Sequence, residues 1–210
     1  QTREGLNRPA GDSFIFEQNG ALNGTPPLGL YQNKPDENRF RAGVALGGAI
    51  ERDKLFYYAA AEQELAYGED ANDLKPATIN QIDAALQQPG PDHGLTLQPG
   101  LIATEDQETE VSGRLDGVLS SHESAMLRYA FTNTRNAADA FNTDELADRS
   151  ARGSSFIADN SLNGTLTSSG PDGFLNKLSF ELSQRRALER TGTAALPGVL
   201  VPGVALFGTP

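Results

Sequence analysis

The sequence has no cysteine and no tryptophan, and only one methionine and two histidines among its 210 residues. Without cysteine the chain can form neither disulfides nor thiolate metal ligands, and His93 and His122 alone do not suggest a zinc site. No run of about 18 apolar residues occurs, which excludes a transmembrane helix. Basic residues are also scarce. The 17 basic and 28 acidic residues give a net charge of −11, which argues against a nucleic-acid partner, because such a protein needs a basic surface.

The sequence also lacks a catalytic constellation. The pairs Ser154–Ser155 and Ser168–Ser169 have no base close to them in the sequence. Gly43, Gly47 and Gly48 are not followed by the Lys-Ser/Thr pair of a phosphate-binding loop. We therefore predict no catalytic residues, no metal ligands, no cofactor and no enzymatic activity.

What the sequence does contain is one hairpin pattern that occurs three times. Each copy consists of two runs of alternating apolar and polar residues, joined by a short polar turn. Strict alternation predicts a β-strand, and two such runs around a short turn predict a β-hairpin. The three copies span 39–67 around the turn 51–54, 110–133 around 121–124, and 155–186 around 170–173.

The alternation is clearest in residues 40–50. Phe40, Val44 and Leu46 fall on one face of the predicted strand, and Arg41 falls on the other among glycines and alanines. Because neighbouring side chains of a strand point to opposite faces, the predicted sheet has one apolar and one polar face. The predicted strands are 12–19, 39–50, 54–67, 109–120, 125–133, 155–168, 174–188 and 199–208.

Strand length and loop length together predict the fold class. Strands of soluble sandwiches average about 5–6 residues, whereas strands tilted across a bilayer need about 9–11. Short turns that alternate with long loops are typical of outer-membrane barrels. We predict an all-β fold: part of an antiparallel, up-and-down transmembrane β-barrel with about seven or eight long strands, short periplasmic turns and long extracellular loops. The alternative is a soluble β-sandwich, in which the apolar face packs on a protein core.

Two of the long loops carry further expectations. The loop 68–108 shows a helical period at 75–88, and a helical turn is expected at 137–146. Acidic residues cluster at 69–73 and 105–108. We interpret both clusters as solvated loop. The alternative is a divalent-cation site at the mouth of a barrel.

Residues 38–50 and 53–58 give the best match between this sequence and the sequence pattern of a known family. They read Asn-Arg-Phe-Arg-Ala-Gly-Val-Ala-Leu-Gly-Gly-Ala-Ile and Asp-Lys-Leu-Phe-Tyr-Tyr. The stretch resembles the pattern N-x-F-G-x-S-L-G-G-P-I, followed by a K-D-K turn and F-F-F, of TonB-dependent receptors of the outer membrane. Within that family it is similar to the Oar-like branch, which often carries a carboxypeptidase-regulatory-like domain. Ala49 replaces the usual proline.

Three further segments are similar to the same family. Residues 2–7 resemble the closing strand of the plug, T-x-x-G-T-N, with Leu6 in place of the second threonine. Residues 12–23 resemble the first barrel strand and its loop, S-x-F-E-F-x-R-N-x-x-L-N, with Gln18 in place of arginine. Residues 197–208 are similar to the family motif I-P-G-V-x-x-F-G.

The resemblance implies a segment of a longer protein, with the end of the plug domain at 1–11 and the first third of the barrel at 12–210. It implies localisation in the cell outer membrane and active uptake of an unidentified extracellular substrate. The implied partners are outer-membrane lipid, the protein's own plug domain, and the TonB complex, which would act through an upstream segment. The alternatives are a passive porin or adhesin barrel, and a soluble secreted glycan-binding sandwich.

The candidate site residues are polar side chains expected to face the lumen or the plug. Glu62 and Glu64 are expected on one strand face, where they line the lumen or contact the plug. The full set is Arg41, Glu62, Glu64, Arg114, Asp116, Arg128, Lys177, Glu181 and Arg185.

Overall fold

A computed structural model describes residues 6–24, 36–72, 75–88, 95, 97–98, 100–139, 146–170, 173–192 and 197–208. Most of the described residues lie in antiparallel β-strands, which confirms the all-β prediction. The elements are β1 (Ala10–Asn19), β2 (Glu37–Glu51), β3 (Leu55–Asn72), α1 (Pro76–Leu86), β4 (Gly100–Ser120), β5 (Glu123–Asp139), β6 (Leu146–Ala147), β7 (Gly153–Ser169), β8 (Leu175–Thr191), β9 (Val199–Val201) and β10 (Ala205–Phe207).

Seven strands form one large sheet in the order β1-β2-β3-β4-β5-β7-β8. Each long strand pairs antiparallel with the long strand before it, so the sheet is an up-and-down meander. The strands are long, and β4 reaches 21 residues. The sheet is not closed, because β1 and β8 lie at opposite edges and do not pair with each other. Seven of the predicted strands coincide with these seven at the turns, but β3, β4 and β5 continue further at their other ends than predicted, and β4 begins nine residues earlier.

Connections of different length lie at opposite ends of the sheet. At one end, here called the turn end, β2 and β3 are joined by residues 52–54, and β4 and β5 by residues 121–122. Lys54 N–H donates to the Glu51 carbonyl at 3.2 Å, and Asp53 takes a left-handed conformation with φ 61°. Asp tolerates that conformation better than most residues. The long connections all leave from the other end, here called the loop end, as the alternation of turns and loops predicted.

The loop between β3 and β4 is shorter than predicted. Strand β3 continues to Asn72 and β4 begins at Gly100, and the two pair along their whole length. The acidic residues 69–72 and 105–108 therefore lie in paired strands, and their interpretation as solvated loop was wrong. A strand continues through charged residues where a neighbouring strand supplies ladder hydrogen bonds, as β4 does for 69–72, and the periodicity of one segment does not reveal that neighbour. Residue 73 lies outside the described residues.

The predicted helix at 75–88 is confirmed as α1, which has Pro76 in its first turn, where a missing N–H is tolerated. The predicted helical turn at 137–146 was wrong at both of its ends. Residues 137–139 continue β5, and Leu146–Ala147 form β6. Residues 140–145 lie outside the described part of the chain.

The predicted strand 199–208 was also wrong. It divides into β9 and β10, which are joined by a turn at 202–204 and pair with each other and with β6 in a separate three-stranded sheet. Gly203 has φ 70° and follows Pro202, and this sequence favours a turn over a continuous strand. The segment therefore does not extend the large sheet.

The hydrophobic core of the described chain lies at the loop end, outside the large sheet. Phe207, 1% exposed, packs in one cluster with side chains of α1 and of the following loop. The cluster is bound to the 3-10 turn at 149–151 by Asp148, which is fully buried and accepts hydrogen bonds from Gln98 N–H at 2.6 Å and from Ser150 N–H at 2.7 Å. The buried apolar members of the cluster are Leu86, Leu95, Leu97, Ala205 and Phe207.

Candidate functional site

The strand register assigns every side chain of the large sheet to one of two faces. Directly paired residues of antiparallel strands lie on the same face, so a row can be followed across the sheet. One such row runs from Arg41 through Glu64 and Glu108 to Thr134. We call the face that carries this row the charged face, and the opposite one the apolar face. All nine predicted site residues lie on the charged face: Arg41, Glu62, Glu64, Arg114, Asp116, Arg128, Lys177, Glu181 and Arg185.

Four carboxylates stand opposite one another on β3 and β4. Glu62 is paired with Glu110, and Glu64 with Glu108. Like charges directly opposite each other destabilise a sheet, so the group needs compensation. Arg41 supplies part of it, because its Nε forms ion pairs with Glu62 and, at 3.8 Å, with Glu64. We call these four glutamates the carboxylate ladder.

One member of the carboxylate ladder, Glu108, has a raised proton affinity. Glu108 shares a hydrogen bond with Glu110, which raises the pKa of Glu108, and partial burial and the neighbouring carboxylates raise it further. Two residues before Glu108 on the same strand, burial raises the pKa of Asp106, and the charges of Asp139 and Asp70 raise it further. Both residues lie in the loop-end half of β4, beyond the apolar part of that strand, which spans 111–119.

A second polar group lies nearer the turn end. Arg114 contacts Asp116 at 2.7 Å, and both side chains are largely buried. Arg114 is also the direct cross-strand partner of Arg128. The buried Nε of Arg128 has no hydrogen-bond partner among the described residues. The remaining three predicted residues are separate from both groups, because they lie on the exposed edge strand β8, where Arg185 approaches Asp159 at 3.8 Å.

Two of the open grooves over the charged face are lined by predicted site residues. One, of about 540 Å³, is bordered by Phe14, Tyr58 and Arg128 among others. The second, of about 650 Å³, is nearer the turn end and includes Leu6 and Asn7 in its wall. The side chains of Asn7 and Asp53 are joined by a 2.6 Å hydrogen bond, which holds the residues before β1 beside the first turn.

Sequence reasoning missed Glu108 as a member of the site. The sequence predicts an acidic loop at this residue, whereas in the structure it continues the alternation of β4 by one step beyond Glu110. Extending the period of that strand toward its start would have placed it on the charged face. Phe14 was also missed. It lies over Gly43, and the Arg41 guanidinium is 5.9 Å from its ring centre.

The apolar face is solvent-exposed in the described chain. Leu115 is 42% exposed, Phe180 51% and Leu182 64%. These side chains belong to a continuous strip toward the turn end, here called the apolar band. Toward the loop end the same face becomes polar, and Thr109 donates to Gln63 there at 2.7 Å. The band comprises the even positions of 40–50 and 178–182, the odd positions of 55–61, 111–117 and 125–131, and Leu162 and Leu166.

The fold therefore defines a class: a long-stranded antiparallel meander with one charged face and one exposed apolar face. Comparison with family models, with curated proteins and with solved structures finds no match for this chain. In the described part of the chain, no helix is long and apolar enough to cross a membrane. The described residues also include no group of three or more histidine, aspartate or glutamate side chains suited to hold a metal ion.

Proposed function

We propose that this chain forms part of the wall of an outer-membrane β-barrel of the TonB-dependent transporter class, which takes up an unidentified extracellular substrate. The observation that carries the proposal is the apolar band, an exposed apolar surface on a sheet of long strands. Water-soluble proteins rarely leave such a surface uncovered. In a membrane, lipid chains cover it.

The dimensions of the band fit a bilayer. On β2 it spans residues 40–50, which is about 33 Å along the strand at about 3.3 Å per residue. A strand tilt of about 35–45°, as found in barrels, reduces this to about 25 Å, which is the usual height of the apolar strip on an outer-membrane barrel. Burying a single leucine or phenylalanine side chain contributes about 1.5–3 kcal/mol, so covering the whole band is strongly favourable.

The open edges of the sheet support the same proposal. Strands β1 and β8 each lack a partner on one side in the described chain, and every residue of β8 is exposed. Unpaired edges invite aggregation, and a barrel removes them by closure. A transporter barrel has about 22 strands, so the proposal requires further strands beyond these seven.

The charged face would then line the lumen. The carboxylate ladder, Arg41 and the Arg114–Asp116 pair would contact the plug domain or water there. The Asn7–Asp53 hydrogen bond supports this arrangement, because it holds the chain that precedes β1 at the turn end, beside the groove of the charged face. The turn end would be periplasmic and the loop end extracellular.

A soluble sandwich is the less favoured alternative. In a sandwich a second sheet would cover the apolar face, but most of the large apolar side chains of the band remain exposed in the described chain. A passive porin or an adhesin barrel would share the same wall, and only the family resemblance favours the energy-coupled transporter over these two.

Lipid contact can be tested by fluorescence quenching. Because the chain has no cysteine, a single cysteine can carry a fluorophore at Leu115 or, on the opposite face of the same strand, at Ser112. In vesicles made with brominated lipid, we expect strong quenching at position 115 and little at position 112. Absence of quenching at both positions would show that the band packs on protein, and the membrane proposal would be abandoned.

A conductance measurement distinguishes the transporter from a porin. The protein as it occurs in the cell, inserted in a planar bilayer, should show no steady ion current, because a plug would block the lumen. A steady open channel would overturn the transporter assignment and favour the passive porin.

A further inference from the structure

Three arginines gather on the apolar face beyond the apolar band, toward the loop end. Arg135 on β5 is paired with Phe156 on β7, which is paired with Leu188 on β8. Arg186 and Arg190 lie two residues to either side of Leu188 and therefore point to the same face. The Arg135 guanidinium is 5.5 Å from the centre of the Phe156 ring. We call Arg135, Arg186 and Arg190 the arginine patch.

The charge of the arginine patch is not neutralised by the described chain. None of the three arginines forms an ion pair with any described residue. Glu189 lies between two of them in sequence but points to the charged face. Glu105 lies on the same face as the patch, but its carboxylate accepts a hydrogen bond from Gln107 at 2.5 Å. In a chain of net charge −11, three exposed arginines without a counter-ion among the described residues form a distinct cationic surface.

The patch surrounds an apolar centre. Phe156, Leu188 and Ser154 line a shallow groove of about 300 Å³ together with Arg186 and Arg190. A guanidinium donates two parallel hydrogen bonds to a phosphate and stacks on an aromatic ring, so this combination suits a phosphate group attached to an apolar body. A free phosphate ion would use the arginines alone.

The position of the patch relative to the apolar band suggests what the apolar body is. Arg186 lies four residues beyond Leu182, the last apolar residue of the band on β8, which is about 13 Å along the strand. With barrel tilt the patch lies about 10 Å beyond the band, at the depth of the lipid headgroups. Acyl chains attached to a headgroup at the patch would lie on Leu178, Phe180 and Leu182.

We propose that the arginine patch binds the phosphate of an anionic lipid headgroup in the leaflet at the loop end of the sheet. This inference rests on the proposed function, because it requires the apolar face to meet lipid. Basic residues near an anionic membrane surface each favour its lipids by a factor of about five. The patch would thereby select anionic lipid next to β8 and fix the height of the sheet in the membrane.

The test uses the protein as it occurs in the cell, reconstituted in phosphatidylcholine vesicles with a fluorophore on a cysteine at Ser154. Quenching by brominated phosphatidic acid is compared with quenching by brominated phosphatidylcholine, and the ratio of their apparent association constants is measured. We expect phosphatidic acid to be preferred at least about ten-fold. The double variant Arg186→Gln/Arg190→Gln should bring the preference close to one, and about 0.5 M salt should weaken it.

A matched control lies on the same strand. Lys177→Gln/Arg185→Gln removes the same charge from the charged face of β8, and it should leave the preference unchanged. An equal loss in both double variants would show that net charge, and not the patch, selects the lipid, and the inference would fall. Full displacement of the lipid by about 10 mM inorganic phosphate would show that the patch is a site for the free ion, and the inference would be abandoned in that case too.

A second label separates the failure of this inference from the failure of the proposed function. A fluorophore at Leu182 reports contact with acyl chains, and it should be quenched by either brominated lipid whether or not the patch prefers one of them. Quenching at 182 without a preference at 154 would overturn the arginine patch alone. No quenching at either position would mean that β8 does not meet lipid, and both proposals would be abandoned.

Discussion

Substituting arginine on the two faces of β4 gives the most direct thermodynamic test of the membrane assignment. Leu115 is the centre of the apolar part of this strand, and its direct partners are Tyr57 and Leu127. Ser112 points to the charged face, between Ala60 and Ala130. The two substitutions therefore introduce the same side chain into the same strand, once toward lipid and once toward the proposed lumen.

The expected magnitudes differ clearly. An arginine at the midplane of the lipid face costs about 2–4 kcal/mol, and at the lumen face much less, about 0–1 kcal/mol. We expect Leu115→Arg to lower the free energy of unfolding in lipid vesicles by the larger amount and Ser112→Arg by the smaller. The protein as it occurs in the cell is reconstituted in lipid vesicles and unfolded with denaturant. Unfolding is followed by circular dichroism, which needs no tryptophan.

Two outcomes would refute the reasoning. Equal losses at the two positions would mean that the faces do not differ in environment. A larger loss for Ser112→Arg would mean that the charged face is the buried one. A sandwich would also penalise Leu115→Arg, so the result is interpreted together with quenching by brominated lipid at Leu115.

Three further predictions follow from the described contacts. A cysteine at Lys75, at the loop end, should react with an impermeant maleimide on intact cells, and a cysteine at Glu123, at the turn end, should not; the reverse pattern would invert the orientation. Glu108 has a raised pKa in the folded protein, so its contribution to stability is present at low pH and is lost as the pH rises through that pKa. Glu108→Gln should therefore stabilise the protein near pH 7 and flatten the rise in unfolding free energy on acidification, and an unchanged pH profile would contradict this. Asp148→Ala removes the acceptor of the Gln98 N–H and of the buried Ser150 N–H, at a cost of about 1–3 kcal/mol for the buried donor. Hydrogen exchange at these two amides should accelerate while exchange in β7 does not.

Local patterns in the sequence determined much of the architecture. Alternation with period two located seven long strands, because the side chains of a strand point to its two faces in turn wherever that strand lies in the protein. The short polar turns at 52–54 and 121–122 follow from local turn chemistry, and the helical spacing of Ile79, Ile82 and Leu86 was enough to place α1. The same alternation assigned all nine predicted polar residues to the face they share.

Tertiary structure decided which of those residues meet. Glu108 lies directly opposite Glu64, which comes 44 residues earlier in the sequence, and this pairing depends on the register between β3 and β4. The loop-end core is also non-local, since it brings together three segments that are distant in the sequence. They contribute Leu86 from α1, Asp148 from the residues after β6, and Phe207 from β10. Periodicity is a property of one strand, whereas register, edges and a shared core are set by contacts between distant segments, and these only the folded chain specifies.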